Sequence, residues 1–274
     1  MASLDAWLAK PATAASRRFS LALSQTFLPR LVAGLTILLI WEVVVRALAP
    51  AYVAKPTTVL LAIPKTITDP AFLSAAVQTL TAVAQGLLIS VVLGTLIGLI
   101  VGRSLLADRM LRHYINGFYA VPMIVILPLV SLWFGYTSSA RLATIVFASL
   151  FSIIVNVSDG ARAVPREYIE VSRSFRSGRW RSLFEIVLPS SLPYFLAGLR
   201  LAAGRALIGA VVAEFFTSIN GLGQYILLMS RTFRHDEAFV AVLFLAAFGV
   251  GIDMVTQGAT RRYLPWYRRD ERTT

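Results

Sequence analysis

Residues 80–101 read LTAVAQGLLISVVLGTLIGLIV, which is 22 consecutive residues without a charged side chain. An α-helix rises about 1.5 Å per residue, so a helix of this length crosses the roughly 30 Å hydrocarbon core of a bilayer. Backbone groups in lipid must find hydrogen bonds within the protein, and the alternating pattern of a membrane barrel is absent. The stretch therefore predicts a transmembrane helix.

Five further stretches are also predominantly apolar, although three of them contain charged residues. Hydrophobic residues make up 57% of the 274-residue chain and charged residues 15%, whereas soluble domains carry about 25% charged residues. The composition therefore favours an all-α integral membrane protein over the alternative, a soluble all-α protein. Besides residues 80–101, the six predicted transmembrane helices cover residues 31–49, 115–134, 142–157, 192–216 and 238–260.

The basic residues are concentrated in alternate segments between these spans. Because Lys and Arg collect on the cytoplasmic side of membrane proteins, we expect both termini in the cytoplasm. This bias also accounts for the net charge of +12 without nucleic acid as a partner. Of the 26 Lys and Arg, five lie in the other loops, three lie inside spans, and 18 lie in residues 1–30, 103–112, 159–191 and 261–274.

The same features divide the chain into three parts. Residues 1–28 are too polar for a signal-peptide core and form a predicted cytoplasmic lead-in, either an interfacial helix or a disordered tail. Residues 29–264 hold the six-helix membrane domain, which includes a proline-rich external loop at residues 50–69. Residues 265–274 form a predicted cytoplasmic tail.

The residues that carry common enzyme and cofactor chemistry are missing. The chain has no Cys and only two His, which excludes thiolate metal sites and nearly excludes a His-based one. It has no P-loop, no nucleophile elbow and no third glycine in phase with Gly221 and Gly223. We therefore expect a transport protein that is not itself an enzyme, binds no metal or cofactor, and takes its energy from elsewhere.

A short amphipathic helix is predicted at residues 166–176, in the largest cytoplasmic segment. Pro165 suits its start and the pair Ser177-Gly178 suits its end. Between them, Tyr168, Val171 and Phe175 share one apolar stripe. This helix either lies on the lipid headgroups or inserts into a groove on a cytoplasmic partner. Its polar faces come from Glu167, Glu170, Arg173 and Arg176.

The same segment resembles a signature of ABC importer permeases, which runs from Glu-Ala-Ala through a loop glycine to Ile-x-Leu-Pro. At matching spacing the chain has Glu170-Val171-Ser172, then Arg176, then Ile186, Leu188 and Pro189. Val171-Ser172 thus replaces the two alanines, and Arg176 replaces the glycine, although Gly178 lies two residues on. Residues 127–135 and 192–223 are similar to the branch that imports aliphatic sulfonates, taurine, nitrate or bicarbonate.

What the resemblance implies is a type I-like importer permease in the bacterial inner membrane. Its partners would be a second copy of the chain, two cytoplasmic ATP-binding subunits that hold ATP and Mg, and an external solute-binding protein. Residues 166–176 would form the coupling helix, with Glu170 and Arg173 making polar contacts to the ATPase. The expected substrate is a small anion. The alternatives are a pyrimidine vitamin precursor or an aromatic acid in the same class, or a stand-alone secondary transporter or channel.

Small and charged residues inside the spans predict packing contacts. Glu42 and Arg46 are four apart and are expected to pair. Asp253 is a possible partner of Arg200 or Arg205, which both lie near the cytoplasmic end of the fifth span. Small residues four apart, which let another helix approach closely, occur at Gly86, Ser90, Gly94, Gly98, Gly102 and at Gly198, Ala202, Ala206, Ala210.

Other residues are candidates for the pathway or for a gate. Glu214 is assigned a structural or gating role, because a bare carboxylate would repel an anion. Two prolines in the third span are expected to kink it. The external loop 218–236 is either an outer gate or a half-buried surface helix. The full set of pathway or gate candidates is Pro122, Pro128, Trp133, Arg200, Arg205, Glu214, Gly221 and Gly223.

Overall fold

The computed structural model describes residues 12–48, 50 and 53–263, and these residues form helices with no strand among them. The predicted tail at 265–274 and the first eleven residues of the predicted lead-in lie outside this part. The helices are α1 (Ala12–Leu48), α2 (Pro56–Ile67), α3 (Pro70–Arg103), α4 (Leu105–Ala120), α5 (Met123–Phe134), α6 (Ser138–Arg162), α7 (Arg166–Ser174), α8 (Arg179–Ser182), a π-helical turn (Leu183–Val187), α9 (Leu188–Thr217), α10 (Leu222–Arg231) and α11 (His235–Tyr263).

The number of spans agrees with the prediction. Among the described residues, five segments are long and apolar enough to cross a membrane, and α4 with α5 makes a sixth when the two are taken as one span. The prediction of six spans is thus confirmed. The five single spans are Pro29–Leu48, Pro70–Arg103, Ser138–Arg162, Trp180–Thr217 and His235–Arg262.

The described residues divide after Leu61 into two compact units. In the first, Arg46 Nε donates to the Glu42 carboxylate, which confirms the predicted pair. The same carboxylate accepts a hydrogen bond from the Thr57 backbone N–H at 3.1 Å. That N–H belongs to the first turn of α2, where backbone donors have no partner inside the helix. Glu42 therefore joins α1 to the start of α2.

The third span is broken, and the prediction of one kinked helix over residues 115–134 is wrong. The axes of α4 and α5 differ by 101°. Val121 and Pro122 both have extended backbone, with ψ of 126° and 127°. Pro122 disfavours a helical conformation for the residue before it, and two extended residues in succession end a helix instead of bending it. Pro128 lies inside α5.

The first half of this span also begins earlier than predicted. α4 starts at Leu105, within residues 103–112, which were assigned to a loop. Ser104 caps it, because its side chain accepts a hydrogen bond from the Ala107 N–H at 3.2 Å. The basic residues of this segment therefore lie on a helix.

In the second unit, α6 packs between α3 and α9 through the predicted rows of small residues. A Cβ atom on Gly98 would lie 2.8 Å from Val157 Cβ, so the helices approach too closely there for any other residue. Ser149 Oγ donates to Ser90 Oγ at 2.8 Å in the same interface. On the other side of α6, Gly198 of α9 lies against Asn156. The predicted close approach is confirmed for both rows.

The order of these contacts gives the direction of the helices. Gly86 and Gly98 of α3 face Ile145 and Val157 of α6, so these two helices are parallel. The chain between two parallel spans must cross the bundle once, and α4 and α5 together make that crossing. We call the end where α3 and α6 terminate the α7 end. The opposite end, where α9 terminates, is the α10 end.

Candidate functional site

The α7 helix presents its apolar stripe away from the rest of the chain. On its inner side, Ile169 packs against Val164 and Val187, and Ser172 is buried. The outward side carries Tyr168, Val171 and Phe175, whose exposed fractions are 56%, 54% and 80%. Glu170 is exposed as well, and Arg173 lies in the helix, although its side chain is outside the described part.

The end of α7 depends on Arg176, in contrast to the prediction that Ser177-Gly178 would terminate the helix. Arg176 has a φ of 54°, in the left-handed region. The Ser177 N–H donates to the Ser172 carbonyl at 3.0 Å, which is the long-range hydrogen bond of a Schellman cap. This position usually belongs to glycine, because a Cβ atom disfavours the left-handed conformation. The geometry explains why the family pattern has glycine where this chain has Arg176.

The Ile-x-Leu-Pro motif lies where α8 passes into α9. The π-helical turn Leu183–Val187 contains Ile186, and Leu188 donates its N–H to the Leu183 carbonyl. Pro189 follows in the first turn of α9, where its missing N–H costs little. Val187 is buried against Ala161. The motif therefore anchors the segment that carries α7 to the long helix α9.

A buried carboxylate organises the α10 end. Glu214 has no exposed surface. Its Oε1 accepts hydrogen bonds from Thr79 Oγ1 at 2.8 Å and from Arg141 Nη1 at 3.2 Å. Its Oε2 accepts a hydrogen bond from the Gly223 N–H at 2.9 Å. A charge inside a span needs such partners because leaving it unpaired is costly.

The two glycines after α9 pack directly on this carboxylate. A Cβ atom on Gly221 would lie 2.2 Å from Glu214 Cδ, and one on Gly223 would lie 2.7 Å from the Val211 carbonyl oxygen. The Leu222 N–H between them donates to Thr79 Oγ1 at 2.8 Å. Gly221 and Gly223 are therefore required by close approach, which lets the loop backbone reach the carboxylate.

Two members of this network were missed in the sequence. Thr79 received no role, and Arg141 was counted in an external loop, whereas it is buried on α6. The sequence contained part of the evidence for Arg141 as a partner of Glu214. Glu214 lies near the predicted outer end of the fifth span and requires a cation, and Arg141 directly precedes the fourth span on the same predicted side of the membrane.

The segment after these glycines is a half-buried helix, one of the two structures expected for loop 218–236. Tyr225 of α10 packs edge-on against Phe72 with ring centroids 5.6 Å apart. Burial and the nearby Glu237 carboxylate raise the pKa of Tyr225 to about 12. Its hydroxyl, 3.5 Å from Glu237 Oε2, therefore stays protonated at neutral pH and acts as the donor.

The two arginines inside α9 have different partners. Arg200 pairs with Asp253 of α11, which settles the partner left open by the sequence. Arg205 lies beside the break between α4 and α5. Its guanidinium carbon lies 4.0 Å from the centre of the Tyr119 ring, and its Nη1 donates to the Tyr119 carbonyl at 3.4 Å.

A cavity of about 280 Å³ opens at this break. Pro122 and Arg205 both contribute to its wall, so the structure brings together two of the predicted pathway candidates. Pro128 and Trp133 do not line it, and Trp133 is 80% exposed. The remaining wall residues come from α4, α5, α6 and α9: Phe118, Tyr119, Ala120, Val121, Met123, Phe147, Ala148, Phe151 and Ile208.

The fold is similar to that of solved ABC transporter membrane subunits. A chain from the structure of the MetNI methionine ABC transporter in inward-facing conformations superposes with a TM-score of 0.62. The two are 18% identical, and the match covers 70% of this chain and 96% of that chain. At this identity the likeness concerns the fold alone.

Two relatives are similar over most of their length. The formylaminopyrimidine transport permease protein ThiX of Halalkalibacterium halodurans is 27% identical over 86% of this chain and 94% of its own. The putative aliphatic sulfonates transport permease protein SsuC of Bacillus subtilis is 27% identical over 84% of each. Both relatives are named as transport permeases, the second for a substrate of the expected branch and the first for a pyrimidine, which was the alternative. The profile of one family matches residues 90–269, and the chain therefore belongs to the family of binding-protein-dependent transport system inner membrane components, the multi-pass permeases of ABC importers.

Proposed function

We propose that this chain forms the translocation pathway of an ATP-driven importer and carries a small anion that an external binding protein delivers. The anion is of the sulfonate kind, and a pyrimidine vitamin precursor or an aromatic acid is the alternative within the same class. The names of two relatives give aliphatic sulfonates and formylaminopyrimidine as their substrates. The membrane is the inner membrane of a bacterium, with the α7 end in the cytoplasm.

The observation that carries this proposal is the exposed apolar stripe of α7. A helix that served only to connect α6 to α9 would turn its apolar residues inward, whereas Tyr168, Val171 and Phe175 are more than half exposed. Ile169 and Ser172 hold the other side of α7 against the chain. The stripe is therefore a fixed apolar surface that a partner can cover.

The alternative that α7 rests on lipid headgroups fits the charges less well. Helices on a membrane surface carry mainly Lys and Arg on the polar face, which attract anionic lipids. The polar faces of α7 combine Glu167 and Glu170, which anionic headgroups repel, with Arg173 and the capping residue Arg176. A groove on a protein partner, with charges of both signs, suits this mixed surface better.

The complete importer then has the following composition and mechanism. Two copies of this chain form the pathway, and two cytoplasmic subunits bind ATP and Mg. When the ATP-binding subunits close, each pulls on the α7 helix seated in its groove. Because α7 is tied to α6 and α9 through Val164 and Val187, its displacement moves both spans as rigid bodies. The pathway switches between inward-facing and outward-facing states.

The coupling role is tested by Phe175→Ala in the complex reconstituted with its ATP-binding subunits and binding protein. Loss of a ring that is 80% exposed leaves the fold intact. We expect it to lower ATP-dependent uptake at least about tenfold, which corresponds to about 1.4 kcal/mol of docking energy. Phe216→Ala is the matched control, because Phe216 is half exposed at the α10 end and should leave uptake unchanged.

Charge reversal at Glu170 extends the same test. We expect Glu170→Arg to separate ATP hydrolysis from uptake while the permease remains folded. Equal uptake by Phe175→Ala, Phe216→Ala and the unmodified protein would refute the coupling role of α7. ATP-independent transport by this chain alone in liposomes would instead favour the stand-alone transporter.

A further inference from the structure

We propose that the cavity at the break between α4 and α5 is an anion subsite, in which Arg205 holds the negative group of a small organic anion and an aromatic wall holds its flat apolar body. The role of the subsite in translocation rests on the function proposed above. The binding of an organic anion in the cavity does not depend on that function, because it is argued from the geometry of the cavity.

The first argument is charge. Arg141 and Arg200 each pair with a carboxylate, on Glu214 and Asp253. Among the described residues, no carboxylate pairs with Arg205, whose contacts are the ring and the carbonyl of Tyr119. A cation within a span is costly unless a counter-charge or water compensates it. Stacking on Tyr119 orients the guanidinium while leaving most of its five donors available to an anion.

The second argument is the aromatic part of the cavity wall. Phe118 of α4 stacks on Phe151 of α6 with ring centroids 5.6 Å apart. Phe147 completes the cluster, with its ring centre 5.3 Å from that of Phe151. An inorganic oxyanion such as nitrate or bicarbonate has no apolar surface to place against three rings. A sulfonate or carboxylate with an aromatic body fills both halves of the cavity.

The third argument is the helix break itself. Irregular backbone at membrane depth is tolerated where it lines a polar cavity or is buried in protein. Here Val121 and Pro122 form the break and line the cavity. In secondary transporters, broken helices supply substrate sites near the middle of the membrane. The break, the unpaired cation and the aromatic wall thus converge on one volume.

A second cavity in the same molecule provides a matched comparison. It measures about 440 Å³ and lies between α3, α6 and α9. Its wall contains Val91, Thr95, Leu96 and Phe195 and has no charged residue. A reagent that enters both cavities therefore experiences a cation in one and none in the other.

The experiment uses the natural absence of cysteine from the chain. Ile208→Cys places a single thiol on the wall, one turn of α9 beyond Arg205, and Thr95→Cys places one in the uncharged cavity. The purified full-length permease, in complex with its partner subunits, is treated with anionic sulfonatoethyl methanethiosulfonate and with the cationic trimethylammonioethyl analogue. Benzenesulfonate and, at equal ionic strength, potassium nitrate are added as probes.

We expect Ile208→Cys to favour the anionic reagent by about tenfold relative to Thr95→Cys, as one partly screened charge contact provides. Benzenesulfonate should slow this reaction severalfold, and nitrate should not. Adding Arg205→Gln should remove both the preference and the protection, whereas Arg205→Lys, which retains the charge, should preserve the preference. The elution volume of each variant on a sizing column shows that it is folded.

The outcomes separate this inference from the proposed function. Equal reagent preference in the two cavities, or protection that survives Arg205→Gln, would overturn the anion subsite. Protection by nitrate as strong as by benzenesulfonate would overturn the organic anion. ATP hydrolysis stimulated by the binding protein is measured on the same complexes. Its absence alongside Arg205-dependent protection would count against the importer while leaving the subsite in place.

Discussion

At the scale of single residues, Glu214 joins parts of the chain that are far apart in sequence. Its carboxylate connects Thr79 of α3, Arg141 of α6 and the backbone of Gly223. A charged carboxylate inside a span is costly unless it has polar partners, so the sequence indicates a role for Glu214. A structural role was one of the two predicted. The identity of its partners depends on how the ends of three spans align, which hydropathy does not specify.

The hydroxyl of Thr79 gives a testable measure of this network. Thr79→Val removes both a donor to Glu214 and the acceptor for the Leu222 N–H. Leaving buried groups unpaired costs about 1–3 kcal/mol, so we predict a lower midpoint of thermal unfolding in detergent. Thr95→Val is the control on the same helix, since Thr95 Oγ1 is buried without a hydrogen-bond partner among the described residues. Equal changes in the two variants would contradict the assigned role of Thr79.

At the scale of helices, the termini and breaks were the features that sequence patterns predicted least well. The period of apolar residues predicted α7 within two residues, because an amphipathic helix repeats its pattern along its whole length. It did not predict that Arg176 would adopt the left-handed cap, since composition there favours Gly178. Pro122 was recognised as a perturbation, but its effect depends on whether Val121 also leaves the helical region.

The cap of α7 leads to a prediction about this helix alone. Arg176→Gly removes the Cβ atom from a residue at φ 54°, and relief of that strain is worth about 1 kcal/mol. We therefore expect slower hydrogen exchange at the Ser177 N–H, which forms the capping bond to Ser172. Gly178→Ala, at a position with open space around it, should leave that rate unchanged. Faster exchange in Arg176→Gly would show that the arginine side chain itself holds the cap.

At the scale of the whole molecule, the arrangement follows from rows of small residues and from charge. The rows of small residues on α3 and α9 were predicted from the sequence, and they place α6 between these helices. The cavity at Arg205 could not be predicted from the sequence, because it depends on the 101° angle between α4 and α5. Charge distinguishes the two ends, because the α7 end carries the basic segment 159–191, which includes Arg162 and Arg181.

This asymmetry predicts the orientation of the protein in the membrane. Lys and Arg accumulate on the cytoplasmic side, so the α7 end should face the cytoplasm and the α10 end the exterior. Single cysteines at Gly178, beyond α7, and at Tyr136, just before α6, report the two ends in a chain that otherwise has none. Both positions are exposed. A membrane-impermeant maleimide added to intact cells should label Tyr136→Cys, and should label Gly178→Cys only after the membrane is permeabilised. The reverse pattern would place α7 outside, where no ATP-binding subunit can reach it, and would remove the basis of the coupling mechanism.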